Sequence, residues 1–128
     1  MSSTHLPLMH LNLRVADVER SAEFYGRWFG FTGPRRTYSD GTVFLCNDDG
    51  FDLGLHPGTP PHPLAPTVHF GFRGASPAAV RDLRAALQDA GVVLVETFDE
   101  DDYVGCKCLD PDGYVIEVYW EPLPAGGS

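Results

Sequence analysis

The sequence, 128 residues long, lacks the features that mark several special classes of protein. No apolar run approaches the ~18 residues of a transmembrane helix. The first ten residues, MSSTHLPLMH, lack the basic and then apolar layout of a signal peptide. Its three cysteines, Cys46, Cys106 and Cys108, form no CxxC pair, and their odd number favours reduced thiols. We therefore expect one compact, soluble domain in the cytoplasm with no membrane partner.

Basic residues are scarce. Lysine and arginine together number 9, against 18 acidic residues, which gives a formal net charge of −9. Proteins that bind nucleic acid present basic patches to the phosphates, so this balance argues against a nucleic-acid partner. An acidic surface favours solubility and would also attract a cationic ligand. Apolar residues make up 43% of the chain, which is enough for a hydrophobic core.

The first half of the chain is predicted to form one strand, one helix and three further strands. In HLNLRV, residues 10–15, apolar and polar positions alternate, which is typical of a strand with one buried face. Asp17 is the predicted N-cap of the helix, and Gly30 is its predicted end. Turn residues then separate three short predicted strands, at residues 32–39, 42–46 and 51–56.

The second half repeats this order after a proline-rich segment, residues 57–66, which is predicted to be a stiff linker. The alternating stretch VHFGFRG predicts a strand. The pair Ser76–Pro77 predicts the start of a helix, which Gly91 ends. Three more strands are predicted at residues 92–97, 103–109 and 114–120.

The two halves align through their turn glycines. When Gly50 is placed on Gly113, GFDLGLHP matches GYVIEVYW, and Gly54 falls opposite Glu117. An internal repeat of this kind indicates two copies of a βαβββ unit and therefore an α+β fold.

Three potential metal ligands fall on the polar strand faces of these units. Side chains alternate along a strand, so the apolar residues of each half face its helix, and His10, His69 and Glu117 face the other way. Two neutral imidazoles and one carboxylate supply the donors that a divalent metal needs. Each of these residues alone is more often an ordinary core or surface residue. Their common placement favours a metal site.

The motifs HLNLRVADVERSAEFY and DPDGYVIEVYW, with the βαβββ order repeated between them, resemble those of the vicinal oxygen chelate superfamily. This superfamily includes glyoxalase I, fosfomycin-modifying enzymes, extradiol dioxygenases and bleomycin-resistance proteins. The resemblance implies a single domain with modules at about residues 8–56 and 67–121 and a disordered tail at 122–128. It also implies a cup-shaped, partly open mixed sheet with helices on its outer face, and a homodimer.

The same resemblance implies roles for the candidate residues. His10 of one chain would join His69 and Glu117 of the other as metal ligands, and Glu117 is also the expected catalytic residue. Glyoxalase I-like members take a fourth ligand, typically glutamate, from the place of Gly54, and His56 is the candidate substitute here. The missing carboxylate argues against glyoxalase I activity. It favours the three-ligand arrangement of thiol-transferring resistance enzymes and of dioxygenases.

The leading functional expectation is therefore a small metal-dependent enzyme. It would act on an oxygen-rich substrate as a lyase, isomerase, thiol transferase or dioxygenase, with a divalent ion of iron, manganese, zinc or nickel. The candidate substrate-binding residues carry polar or aromatic side chains: Asn12, Arg14, Phe44, Arg73, Tyr103 and Tyr119.

Two alternatives stand beside this expectation. A metal-free binding protein of the bleomycin-resistance type would sequester an antibiotic or natural product, aided by the net charge of −9 and by aromatic side chains. A metal-free regulatory or structural domain is the other alternative, which no residue pattern supports. The presence of His10, His69 and Glu117 together favours the enzyme, because a binder has no need of all three.

Overall fold

The computed structural model describes residues 5–62 and 67–123. It divides into two compact units, Met1–Pro61 and His62–Ser128. Each unit contains one strand, one helix and three more strands, as the sequence predicts. Residues 63–66 of the predicted linker and residues 124–128 of the predicted tail lie outside the described residues. No helix in the described part of the chain is long and apolar enough to cross a membrane.

The first unit is a four-stranded mixed sheet with one helix. Its strands are β1 (His10–Val15), β2 (Arg36–Thr37), β3 (Val43–Cys46) and β4 (Asp52–Pro57), and its helix is α1 (Val18–Phe29). The strand order is β1-β4-β3-β2, in which β1 and β4 are parallel and the other neighbours are antiparallel.

The second unit has the same topology. Its helix is α2 (Pro77–Asp89), and its strands are β5 (Phe70–Arg73), β6 (Leu94–Glu100), β7 (Tyr103–Leu109) and β8 (Val115–Trp120). The strand order is β5-β8-β7-β6, with β5 parallel to β8. Two mixed sheets, each built as βαβββ, confirm the predicted α+β fold class.

Both helices begin where the sequence predicts. The Asp17 carboxylate accepts a hydrogen bond from the backbone nitrogen of Arg20 at 3.1 Å, and the Ser76 hydroxyl accepts one from Ala79 at 3.1 Å. These side chains satisfy backbone donors that a first helical turn leaves open. At the other end of α1, Gly30 takes the left-handed conformation, with φ of 75°, that ends a helix.

The helix of each unit packs against the apolar face of its own sheet, α1 on β4 and α2 on β7 and β8. Burying each large aliphatic side chain in such an interface stabilises the fold by about 1.5–3 kcal/mol. The fully buried core residues include Val15, Tyr25 and Leu55 in the first unit and Val80, Leu87 and Ile116 in the second.

The strand registers confirm the internal repeat. Asn12 is the Cα partner of Gly54 between β1 and β4, and Gly71 is the Cα partner of Glu117 between β5 and β8. Gly54 therefore takes the place in the first sheet that Glu117 takes in the second.

The strand predicted at residues 32–39 is wrong in extent, because only Arg36–Thr37 pair as β2. Pro34 has no backbone N–H to donate to a ladder, and the N–H of Gly33 bonds instead to the carbonyl of Cys46 at 3.1 Å. The regular pairing therefore begins only after the proline.

The predicted end of the sixth strand, residue 97, is also wrong, because β6 continues to Glu100. Arg81 and Arg84 of α2 bind the carboxylate of Asp99 at 2.9 and 3.0 Å. This pairing neutralises a charge in the acidic run that the sequence alone assigns to a turn. At the start of β5, the observed strand begins at Phe70, so His69 is the residue before it.

Candidate functional site

Glu117 is a nearly buried carboxylate in the middle of β8. Its side chain is 12% exposed, whereas its neighbours Ile116 and Val118 belong to the core. Its Oε2 atom accepts a hydrogen bond from the hydroxyl of Tyr103. Its Oε1 atom lies 3.0 Å from Nε2 of His69. Both oxygens therefore have partners, as a buried carboxylate requires.

The backbone orients the ring of His69. Its Nδ1 atom lies 3.1 Å from the carbonyl oxygen of Thr67. A carbonyl oxygen only accepts, so Nδ1 carries a hydrogen. In the neutral ring, Nε2 then holds a lone pair, and that lone pair faces Oε1 of Glu117. Histidines that bind metals are commonly oriented in this way, by the hydrogen bond of the other ring nitrogen.

The His69 and Glu117 side chains fit a divalent metal. Two lone pairs facing each other at 3.0 Å need either a proton or a metal ion between them. Two donors bound at about 2.1 Å and at a right angle to each other stand about 3.0 Å apart. The separation of His69 and Glu117 is therefore that of an ordinary hydrogen bond, and it also equals the spacing of two adjacent ligands on a metal ion.

The third predicted ligand, His10, is an exposed residue of β1 in the first unit. Across residues 5–62 and 67–123, no three His, Cys, Asp or Glu side chains come together closely enough to hold a metal ion. The second unit contributes the pair of donors described above.

Two stacked tyrosines flank Glu117. The rings of Tyr103 and Tyr119 are parallel to within 8°, with centroids 6.0 Å apart. The Tyr119 ring passes over Gly71, where a Cβ would stand 3.2 Å from Cε1 of the ring. Burial, together with the hydrogen bond to Glu117 and its charge, raises the pKa of Tyr103. Its hydroxyl therefore stays protonated at neutral pH and acts as a hydrogen-bond donor.

A cavity of about 260 Å³ opens beside this cluster. Binding pockets for drug-sized molecules occupy about 300–1,000 Å³, so this volume suits a small ligand. The lining contains two carboxylates, of which Glu121 pairs with Arg73 and Glu117 faces His69. The polar lining residues are His69, Tyr103, Glu117, Tyr119 and Glu121.

In the first unit, Asn12 and His56 form a hydrogen-bonded pair. Nε2 of His56 lies 2.9 Å from Oδ1 of Asn12, and Nδ1 lies 3.2 Å from the Thr42 hydroxyl. Both ring nitrogens have partners, so metal ligation by His56 would break one of these bonds. Gly54 leaves room for the pair, because a Cβ there would overlap Oδ1 of Asn12 and come within 2.9 Å of the Phe44 ring.

The other candidate substrate-binding residues have partners of their own. Arg73 donates to the backbone carbonyl of Glu121 and lies 3.8 Å from its carboxylate. Phe44 packs edge-on against His56, and the guanidinium of Arg36 lies 5.1 Å from the Phe44 ring centroid. Arg14 is exposed on β1. The structure thus brings His69, Tyr103, Glu117 and Tyr119 together in the second unit, and Asn12, Phe44 and His56 together in the first.

A family model described as the Glyoxalase/Bleomycin resistance protein/Dioxygenase superfamily matches residues 8–118 of this sequence. The chain belongs to this superfamily. The match confirms the resemblance indicated by the motifs at the two ends of the chain.

The chain is also similar to individual proteins in sequence and in fold. An uncharacterised protein of Pseudomonas aeruginosa is 33% identical over an alignment of 131 positions, which covers 94% of this chain and 94% of that protein. The structure of a possible glyoxalase from Bacillus cereus superposes with a TM-score of 0.76 at 29% identity, covering 89% of this chain and 98% of that one. The fosfomycin resistance protein FosX of Listeria monocytogenes superposes with a TM-score of 0.77 at 16% identity, covering 94% and 97% of the chains, and shows the shared fold.

Lys107 is a charged residue near Glu117 that strand periodicity alone does not single out. It is the only lysine in the sequence and the Cα partner of Glu117 across β7 and β8. Its ammonium group lies 3.2 Å from Oε1 of Glu96. Counting residues equally from both sides of the four-residue DPDG turn would pair position 117 with 106 instead, so only the observed register places Lys107 opposite Glu117.

Proposed function

We propose that this chain is a metal-dependent enzyme of the superfamily that acts on a small, oxygen-rich substrate. The observation that carries the proposal is the 3.0 Å approach of His69 Nε2 to Glu117 Oε1. A second hydrogen bond orients each of these side chains. The Thr67 carbonyl accepts from His69, and the Tyr103 hydroxyl donates to Glu117. Two oriented donors beside a polar cavity form part of a metal site.

The third ligand in this proposal is His10 from a second copy of the chain. The resemblance to the superfamily supports this assignment, as does the exposure of His10 on β1. The functional unit would then be a homodimer, with two equivalent sites that each use residues of both subunits. A divalent ion bound there would hold two neighbouring substrate oxygens and stabilise the negative charge that develops on them.

The other side chains would position the substrate and the ligands. Tyr103 keeps Oε2 of Glu117 occupied, which leaves Oε1 for the metal. The Tyr119 hydroxyl would donate to a substrate oxygen in the cavity that its side chain lines. Arg73 would leave Glu121 and bind an anionic group of the substrate. Arg14, on β1, would also bind such a group.

The number of protein ligands favours some reaction types over others. Gly54 supplies no fourth carboxylate, and both nitrogens of His56 are hydrogen-bonded. Two histidines and one carboxylate leave more coordination positions for substrate than a four-ligand site does. We therefore favour transfer of a thiol or use of dioxygen over isomerisation of the glyoxalase I type.

A metal-free binding protein is the second candidate. The parallel rings of Tyr103 and Tyr119 and the carboxylate of Glu121 meet in one cavity, and a cationic planar ligand would contact both features. In such a protein, a hydrogen bond between His69 and Glu117 would take the place of the metal.

Mixing two inactive variants tests the shared site. His10→Ala and Glu117→Gln chains should each bind little metal alone. After they are mixed, unfolded and refolded together, half of the dimers contain one chain of each kind, and each such dimer has one intact site. Metal binding should therefore recover to about a quarter of the wild-type level. If the site lies within one chain, mixing restores no binding.

A thermal-shift screen of the metal-loaded protein would identify the substrate class. Catechols, glutathione adducts and fosfomycin represent the favoured reaction types. A ligand present at ~100 times its dissociation constant stabilises the folded state by ~2.7 kcal/mol, which is large enough to detect. Stabilisation of the metal-free protein alone by a cationic aromatic compound would support the second candidate instead.

A further inference from the structure

The first unit has an ordered polar group at the place equivalent to Glu117. Gly54 takes that place, and Asn12 is its Cα partner across β1 and β4. A Cβ on Gly54 would overlap Oδ1 of Asn12. The carboxamide of Asn12 therefore lies in the space that any side chain at position 54 would need. Asn12 can adopt this position because residue 54 is a glycine.

Hydrogen bonds from the interior fix the orientation of this carboxamide. Oδ1 of Asn12 only accepts, so Nε2 of His56, 2.9 Å away, is the donor. In the neutral ring, Nδ1 of His56 then accepts from the Thr42 hydroxyl at 3.2 Å. Thr42 is 3% exposed, and its backbone N–H donates to the Asp40 carboxylate at 2.9 Å. The buried Thr42 thus orients the imidazole of His56, and this imidazole orients the carboxamide of Asn12.

The Nδ2 amino group of Asn12 is left to interact with other molecules. Asn12 is exposed, and within residues 5–62 and 67–123 its amino group has no hydrogen-bond partner. We infer that His56 and Thr42 are positioning residues, which hold the Asn12 carboxamide so that its amino group donates hydrogen bonds to the substrate.

This inference rests on the proposed function and narrows the class of substrate. An amino group with two N–H donors matches an oxygen that carries negative charge or free lone pairs, such as a carboxylate, phosphonate or carbonyl oxygen. It does not match a cationic group. His56 then orients a donor and does not bind the metal, and the first unit replaces a fourth metal ligand with a neutral hydrogen-bond donor.

The side-chain amide signals of the protein provide a direct test, because Asn12, Asn47 and Gln88 are the only carboxamides in the sequence. In nitrogen–proton NMR spectra of metal-free protein, Asn12→Asp would identify the Asn12 amino signals. We expect His56→Phe and Gly54→Ala to shift these signals, because the first removes the donor and the second occupies the space of Oδ1. His62→Phe, at an exposed histidine where the second unit begins, is the matched control and should leave them unchanged. Unchanged Asn12 signals in His56→Phe would overturn the inference.

Addition of a ligand tests the donor role. Oxalate, which carries neighbouring oxygens, would be titrated into Zn²⁺-loaded protein. We expect oxalate to shift the Asn12 amino signals in the wild type and to bind about 10-fold more weakly to His56→Phe, as for the loss of one hydrogen bond. Asn12 signals that stay in place while oxalate saturates the protein would overturn the inference. If the wild type takes up neither Zn²⁺ nor iron, manganese or nickel, the proposed function fails, and the metal-free comparison still decides the role of His56.

Discussion

Tyr103 donates a hydrogen bond to Oε2 of Glu117 from the neighbouring strand β7. The same tyrosine stacks on Tyr119, and its ring also meets Phe98 edge-on, with centroids 5.5 Å apart. Rings on both sides thus hold the hydroxyl in place. The consequence is that Glu117 presents one oxygen, Oε1, toward His69.

Replacing Tyr103 with Phe should weaken metal binding without unfolding the protein. The ring contacts are kept, while the carboxylate of Glu117 loses the donor that orients it. Loss of such a supporting hydrogen bond typically lowers metal affinity by about 10–100-fold. Equilibrium dialysis with Zn²⁺ would measure this change. Tyr38→Phe, at a tyrosine that is 49% exposed, is the control. Equal affinities for wild type and Tyr103→Phe would refute the orienting role.

The carboxylate of Asp99 should stabilise the fold in a pH-dependent manner. Hydrogen bonds from Arg81 and Arg84 lower the pKa of Asp99 to about 2, whereas an unfolded aspartate titrates near about 3.9. Its contribution is therefore complete above about pH 4 and is lost as the pH falls through about 2. We expect wild type to melt at a higher temperature than Asp99→Asn at pH 6 and the difference to vanish near pH 2. Asp101→Asn, at an exposed turn residue, should show no such convergence. A constant difference across this range would contradict the assignment.

Gly105→Ala should destabilise the second sheet. A Cβ at this position would overlap the carbonyl oxygen of Val118 and stand 3.1 Å from Cα of Tyr119. Forced repacking of this kind costs about 1–3 kcal/mol. Gly26→Ala in α1 is the matched control, because its Cβ would make only an ordinary contact and alanine favours the helix by about 0.5–1 kcal/mol. Urea denaturation would compare the two, and an equal stability for Gly105→Ala and wild type would show that β7 and β8 accommodate the methyl group.

Two of the three cysteines should resist thiol reagents in the folded protein. Cys106 and Cys108 are fully buried, and burial raises the pKa of the Cys108 thiol to about 12. Since the thiolate is the reactive form, we expect at most one thiol, Cys46, to react with a disulfide reagent at pH 8 in buffer, and all three in urea. Rapid reaction of all three thiols in buffer would contradict the burial of β7.

Much of the fold is predictable from local sequence signals. The alternation in β1, the cap residues Asp17 and Ser76 and the turn glycines act over a few residues, so the order of elements follows from them. The short extent of β2 and the long extent of β6 depend on partners distant in sequence, such as Arg81 and Arg84 with Asp99. No local pattern contains that information.

The candidate site is predictable only in part, because local sequence signals place residues on a face but do not show which side chains touch. A period of two places Glu117 on the face opposite the core, and the register confirms its equivalence with Gly54. Which side chains of that face touch depends on rotamers and on reach across strands. The hydrogen bond from Tyr103 to Glu117 and the engagement of both nitrogens of His56 therefore became visible only in the structure.

Metal content is the most direct test of a metal site at His69 and Glu117. Wild-type protein purified without chelator, and then dialysed against iron, manganese, zinc or nickel, should retain one ion per chain for at least one of these metals. His69→Ala and Glu117→Gln should each retain less than about a tenth of that amount, since either change removes a ligand from the shell. Circular dichroism would establish that both variants are folded. Stoichiometric metal binding that survives both substitutions, or no binding of any of these ions by the wild type, would contradict the proposed site.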